Sequence, residues 1–231
     1  VGAPREDVVG GWQDGPVMTT RTPDSAEQLR RIGLVELLAG IGCADDAERA
    51  DVVRTAEWIA SGAPLYRTRK PDVPAMHLVS YFVVLDESRG ELLLVDHRKA
   101  GLWLPPGGHV EPAEDPWQTV RRECREELGL PAVPSTVAGD RPFFLTVTQT
   151  RGAGRHTDVS LWYVLRAGSQ TITWYDDTEF AAIRWVTPRQ VLDEPAETLD
   201  PQLHRFTRKL LAAGFAMTRP GRPVVDQAKT K

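Results

Sequence analysis

The stretch from Pro105 to Leu130 constrains this chain more than any other, because it dictates a helix with both ends marked and an unusual charge on one face. Pro105-Pro106-Gly107-Gly108 reads as a stiff turn that brings backbone carbonyls close to a ligand. A helix is predicted from Trp117 to Leu128, with Gly129 as its stop. On a period of 3.6 residues, Trp117, Val120, Cys124 and Leu128 share one stripe, expected to face a core. Glu123, Glu126 and Glu127 stand at i, i+3 and i+4 on an adjoining face. Three carboxylates so close repel one another and need compensation. Arg121, Arg122 and Arg125 supply it if the face is solvated, the commoner outcome for an isolated cluster of this kind. A hard divalent cation such as Mg²⁺ supplies it otherwise, taking a few carboxylate oxygens together with substrate phosphate.

The flanks favour the cation. From Gly108 the segment runs five residues to Glu114, seven more, then Arg122-Glu123-Cys124-Arg125-Glu126-Glu127-Leu128-Gly129-Leu130. This resembles the Nudix box, G-x5-E-x7-R-E-U-x-E-E-x-G-U, where U is a bulky apolar residue. Every fixed letter falls in register, an event of chance probability on the order of 10⁻⁹ per starting point at average residue usage. Cys124 departs mildly from the aliphatic residue usual at its position, but cysteine packs as a small hydrophobe.

The resemblance implies roles. Nudix enzymes hydrolyse a nucleoside diphosphate linked to another moiety, by attack of water on phosphorus. Glu126 and Glu127 then hold metal, Glu123 serves as metal ligand or general base, and the Gly107 carbonyl completes the metal shell. Arg122 orients the carboxylates, Glu114 pairs with the box or ligates more distantly, and Gly108 opens the box. A further acid is expected from a loop near the end of the sheet, with Glu179 the candidate and Asp158 behind it. His97 and Lys99 are candidate phosphate contacts, as are Arg151, Arg155 and His156, although a solvated turn suits the last three better. His109 lies near the reaction centre at a position where the family is tolerant. The implied cofactor is Mg²⁺, with Mn²⁺ as a substitute.

The rest of the chain is compatible with this resemblance. Residues 1–23 lack periodicity and are expected to be poorly ordered. Residues 24–62 read as a helical hairpin, with Cys43 in its core, and 63–75, with its prolines, as a linker. Strand-like runs follow at His77–Asp86, Glu91–Asp96, Phe143–Thr150, Asp158–Arg166 and Ala182–Val186, the first two as a hairpin. Helices are expected again at 187–192 and 202–213. The Nudix-like domain is thus placed at 76–218, before a tail at 219–231. The fold class is α+β, an α/β/α Nudix sandwich with a mixed sheet, preceded by a helical extension.

Composition narrows the function classes. A formal net charge of −4 argues against stable nucleic-acid binding through the phosphate backbone. The 2 cysteines exclude a disulfide framework and point to a cytoplasmic protein. The apolar run Leu78–Leu85, broken by Ser80, is too short to span a bilayer, so no membrane association is expected. The partner is a small nucleotide or other diphosphate, with a homodimer an open option.

Markers of narrower substrate groups are missing. Leu145 and Thr146 stand where many ADP-ribose hydrolases carry proline, and Val147 and Thr148 where some dinucleoside polyphosphate hydrolases carry tyrosine. Nucleoside triphosphates, oxidised ones included, remain by elimination. Two alternatives stay open, a Nudix-fold nucleotide-binding regulator without catalysis and an enzyme like isopentenyl diphosphate isomerase. The intact box and the lack of a basic recognition helix weigh against both.

Overall fold

The computed structural model describes residues 25–69, 73–150 and 155–215. The expectations for residues 1–23, 219–231 and Arg151 therefore lie outside the described residues. The first element is α1 (Ser25–Ala39), followed by α2 (Asp46–Ala60). The N-terminus of α2 is fixed by Asp45, whose side chain accepts the Glu48 N–H at 2.7 Å. Cys43 lies in the connection between these helices, half-buried, rather than in a helix core.

The strands are β1 (Met76–Asp86), β2 (Glu91–His97), β3 (Leu102–Leu104), β4 (Gly107–His109), β5 (Phe144–Gln149), β6 (Thr157–Arg166) and β7 (Phe180–Val186). They form one 7-stranded sheet in which β1 and β6 run parallel and the other pairs antiparallel. Between them come α3 (Pro116–Leu128), then α4 (Pro188–Asp193) and α5 (Leu203–Ala212). Strands β3 and β4 were not expected. Each has three residues, too few for a period-2 signal, and Gly107–Gly108 is paired strand with β1 rather than a free turn.

Alternation along the central strands explains the layers. Leu78, Phe82 and Val84 of β1, with Leu161 and Tyr163 of β6, face α1, α2 and α3. Val83 and Leu85, with Trp162 and Val164, face α4 and α5 through Val191, Leu203, Phe206 and Leu210. Both faces of the parallel pair are buried, so these strands read as continuous apolar runs. This mixed sheet between two helical layers is the expected sandwich.

The helical extension covers the outer edge of the sheet. Helix α2 packs on edge strand β5, and the Asp51 carboxylate accepts the Val147 N–H. Around that edge, Asp45 takes two hydrogen bonds from Arg205 on α5, at 3.0 and 2.7 Å. Buried Glu48 pairs with Lys209 at 2.6 Å. An edge strand left bare is a template for unwanted pairing, and here a helix and its side chains occupy it. Among the described residues, no helix is long and apolar enough to cross a membrane.

Candidate active site

The site arises where the sheet splits. Strands β1 and β2 are registered to each other at Leu85–Leu92 and Asp86–Glu91. Farther from that hairpin, β1 bonds to β4 at Val79–Tyr81, while β2 bonds to β3 at Val95–His97. The chain crosses the gap through Pro105 and Pro106, and the Phe82 N–H donates to the Pro106 carbonyl at 3.0 Å. A cleft of about 1130 Å³ opens there, and Gly107, Arg122, Glu123, Glu179, His97 and Lys99 are among its lining residues.

Helix α3 is held at both ends. Asp115 caps it by accepting the Trp117 N–H at 2.8 Å, Pro116 occupies its first turn, and Gly129 ends it at φ 67°. Val120, Cys124 and Leu128 are buried as the stripe requires, while Trp117 is half-buried beside Tyr163. Ser80 of β1 anchors the start by donating to the Pro116 carbonyl at 3.0 Å. This docking lays the acidic face against β4.

Arg122 organises that face. Its Nε and Nη2 each donate to the Glu114 carboxylate at 3.0 Å, and its Nη1 donates to Glu123 Oε1 at 2.6 Å and Glu126 Oε2 at 3.3 Å. Thr119 and the Glu111 N–H also donate to Glu114 Oε2, so that although burial alone would raise it, Glu114 is held below the usual carboxylate range. Glu123 rests on Gly108, where any Cβ would overlap its carboxylate. Gly107 is equally constrained, since its φ of 150° and the nearby Ser80 and Tyr81 backbone exclude a side chain.

The three box glutamates differ. Glu127 is buried, its carboxylate accepts the Gly107 N–H, and its Oε2 has no hydrogen-bond partner. Burial, followed by the charges of Glu123 and Glu179, pushes it well above the ordinary glutamate value. Burial likewise raises Glu123, although Arg122 opposes the rise. Glu126 is the outlying member, with a side chain 60% exposed. An orphaned carboxylate oxygen beside two further carboxylates costs stability, and a divalent cation bound by oxygens relieves that cost. The residues therefore fit Mg²⁺.

Glu179 reaches this group from the loop before β7. The Asp176 N–H donates to the Glu127 carbonyl at 2.8 Å, which pins the loop to α3. The Arg98 N–H donates to the Glu179 carbonyl at 2.9 Å, which pins it to the end of β2. Glu179 lines the cleft and its charge acts on both Glu123 and Glu127. Of the candidate phosphate contacts, His97 and Lys99 line the cleft, whereas Arg155 is exposed and is not among the lining residues.

His156 and Asp158 also line the cleft. His156 is not in a solvated turn. It gathers with His77, His109 and Asp158, and the four candidate donor atoms all lie within 4.8 Å of one another. Burial pushes His109 down to about 3, with Arg67 adding to the effect. Asp158 belongs to this group, although it shares the cleft with Glu179. Sequence reading missed His77 altogether. Its register against Asp158 on the neighbouring parallel strand was the available signal, and it depends on a pairing 81 positions apart in the chain, between residues 77 and 158.

Comparison with known proteins identifies the family. The family model described as NUDIX domain matches residues 76–210, more than half of the chain. The chain is 30% identical over 136 residues to a "CTP pyrophosphohydrolase" of Escherichia coli (strain K12), covering 57% of this chain and 93% of that protein. It is 32% identical over 111 residues to a "Putative 8-oxo-dGTP diphosphatase" of Bacillus subtilis (strain 168), covering 47% of this chain and 65% of that one, just under two thirds of its length. Among solved structures, a MutT protein from Methanosarcina mazei Go1 aligns with a TM-score of 0.47 at 21% identity, covering 59% of this chain and 94% of that chain. With the box in register and the family model spanning the sheet, α3 and α5, the chain belongs to the Nudix hydrolase family.

Proposed function

We propose that this protein is a Mg²⁺-dependent hydrolase of a nucleoside diphosphate linked to another moiety, with nucleoside triphosphates, oxidised ones included, as its first substrate class. The observation that carries the reading is the buried Glu127 carboxylate, orphaned at Oε2 and facing the charges of Glu123 and Glu179. The names of the Escherichia coli and Bacillus subtilis relatives support a nucleotide substrate.

In this reading Glu123, Glu126, Glu127 and Glu179, with the Gly107 carbonyl, hold the cation. When bound, Mg²⁺, or Mn²⁺ in its place, neutralises phosphate charge and lowers the pKa of a water. Arg122 keeps Glu123 and Glu114 in fixed orientations through its charge-assisted hydrogen bonds. Glu123, where it is not itself a ligand, accepts the proton of the attacking water. His97 and Lys99, at the cleft wall, contact the phosphates. Glu114 supports the site through its two hydrogen bonds from Arg122, or ligates more distantly.

A nucleotide panel at mildly alkaline pH, first with Mg²⁺ and then with Mn²⁺, tests this. Release of pyrophosphate plus a nucleoside monophosphate is expected from the best triphosphate. Glu126→Gln and Glu127→Gln are each expected to lose at least about 10-fold in activity. Full activity in both variants overturns the metal assignment, and hydrolysis of a different diphosphate class alone overturns the triphosphate reading.

A further inference from the structure

We infer that His77, His109, His156 and Asp158 form a second metal site, apart from the box carboxylates, that takes a divalent transition-metal ion of the zinc class. The sheet brings these residues together on one face. His77 on β1 is in register with Asp158 on β6, and His109 on β4 is in register with Val79, two residues along β1 from His77. Because strand side chains alternate, all three project to the same side. His156 joins them from the turn into β6, its ring stacked on that of His77 at 5.0 Å.

The hydrogen bonds outside the cluster decide what faces inward. His77 Nδ1 lies 2.8 Å from the Pro74 carbonyl, which only accepts, so that nitrogen carries the proton. The other nitrogen, Nε2, is buried and without a hydrogen-bond partner in a side chain fully shielded from solvent, and it is the atom a neutral ring would offer to a metal. His156 Nδ1 lies 3.2 Å from Thr150 Oγ1, whose own proton is directed to the His156 carbonyl. With Nδ1 donating to Thr150, the tautomer a metal-bound ring would take, Nε2 of His156 is the nitrogen that faces Asp158. These two nitrogens lie 3.4 and 3.1 Å from Asp158 Oδ1, which is buried without a hydrogen-bond partner. His109 Nε2 is a further buried atom with no partner.

Two ring nitrogens and a carboxylate oxygen without hydrogen-bond partners thus converge, with the His156 ring beside them. A bound ion would satisfy all three of those buried atoms at once. Tetrahedral bonds of about 2.0–2.1 Å place ligand atoms about 3.3 Å apart, close to the two distances to Asp158. The widest pair, within 4.8 Å, must draw in on binding. Imidazole nitrogens with one carboxylate select zinc-class ions over Mg²⁺, which prefers oxygens. Outward hydrogen bonds from the other ring nitrogen, to Pro74 and Thr150, are the usual support of a metal-bound histidine. An ion here ties β4, β1 and β6 together at the cleft floor.

Titration of the chelator-treated full chain with Co²⁺ in excess Mg²⁺ tests the site. The expected result is one equivalent bound with the strong visible bands of four-coordinate Co²⁺, displaced by Zn²⁺. His156→Gln and Asp158→Asn, confirmed as folded by circular dichroism, are expected to abolish the bands. Thr150→Val is expected to weaken Co²⁺ about 10-fold. Glu127→Gln, in the box, is expected to leave the bands intact, which keeps this result separate from the proposed hydrolysis. The weak spectrum of six-coordinate Co²⁺ in the unmodified chain overturns the proposal. So do strong bands that survive both His156→Gln and Asp158→Asn, or that vanish in Glu127→Gln alone.

Discussion

At Gly108 the absence of one carbon atom sets the position of a carboxylate, since a Cβ there would overlap the Glu123 side chain. Gly108→Ala is expected to displace Glu123 and lower kcat about 10²-fold while the fold persists, which steady-state kinetics beside a melting curve will check. Such residue-level features were legible because the box is local. Gly108, Glu114, Arg122 and the three glutamates lie on β4, the turn after it and α3, close together in the chain, so their spacing was readable directly. The different burial of Glu127 and Glu126 was not legible, because it depends on how α3 docks on β4. The histidine cluster was hidden for the same reason, since it needs the β1–β6 register and the return of β4.

Between elements, two polar joints bear the most weight. Asp86 closes the β1–β2 hairpin and also accepts the Ser169 N–H at 2.7 Å. Burial opposes its ionisation, but hydrogen bonds from Ser88, Ser169 and Arg89 outweigh that and hold it at about 2. Its folded pKa is depressed, so its contribution is complete above the unfolded value of 3.8 and is lost as pH falls towards about 2. Asp86→Asn is expected to flatten the acid limb of stability against pH by about 2 kcal/mol, measured by urea unfolding between those limits. The second joint is Glu48–Lys209, between α2 and α5. Lys209→Met strands a buried carboxylate and is expected to cost about 3–5 kcal/mol, with Glu48→Gln in the same chain recovering most of it. If the single variant unfolds at the same denaturant concentration as the unmodified chain, the extension is not clamped as described. Strands β1, β2, β5, β6 and β7 and the helices were readable from apolar runs, periodicity and end signals, whereas β3 and β4 were too short to show any.

In the whole molecule, the split between β1 and β2 and the burial of α3 on β4 put uncompensated negative charge at one cleft. Without a cation that charge opposes folding. Glu127 has a folded pKa above its unfolded value, so the protein without metal is expected to lose stability as pH rises from the unfolded glutamate range towards neutrality. Glu127→Gln removes the charge and keeps the shape. Its melting temperature in metal-free buffer at neutral pH is therefore expected to equal or exceed that of the unmodified chain. The most direct measurement pairs that melting temperature with kcat on the best nucleotide at saturating Mg²⁺. The expected result for Glu127→Gln is unchanged or higher metal-free stability with kcat lower by about 10²–10³-fold. Full kcat in this variant, with the fold intact, contradicts the assignment of α3 and its buried carboxylate to the metal that hydrolysis requires.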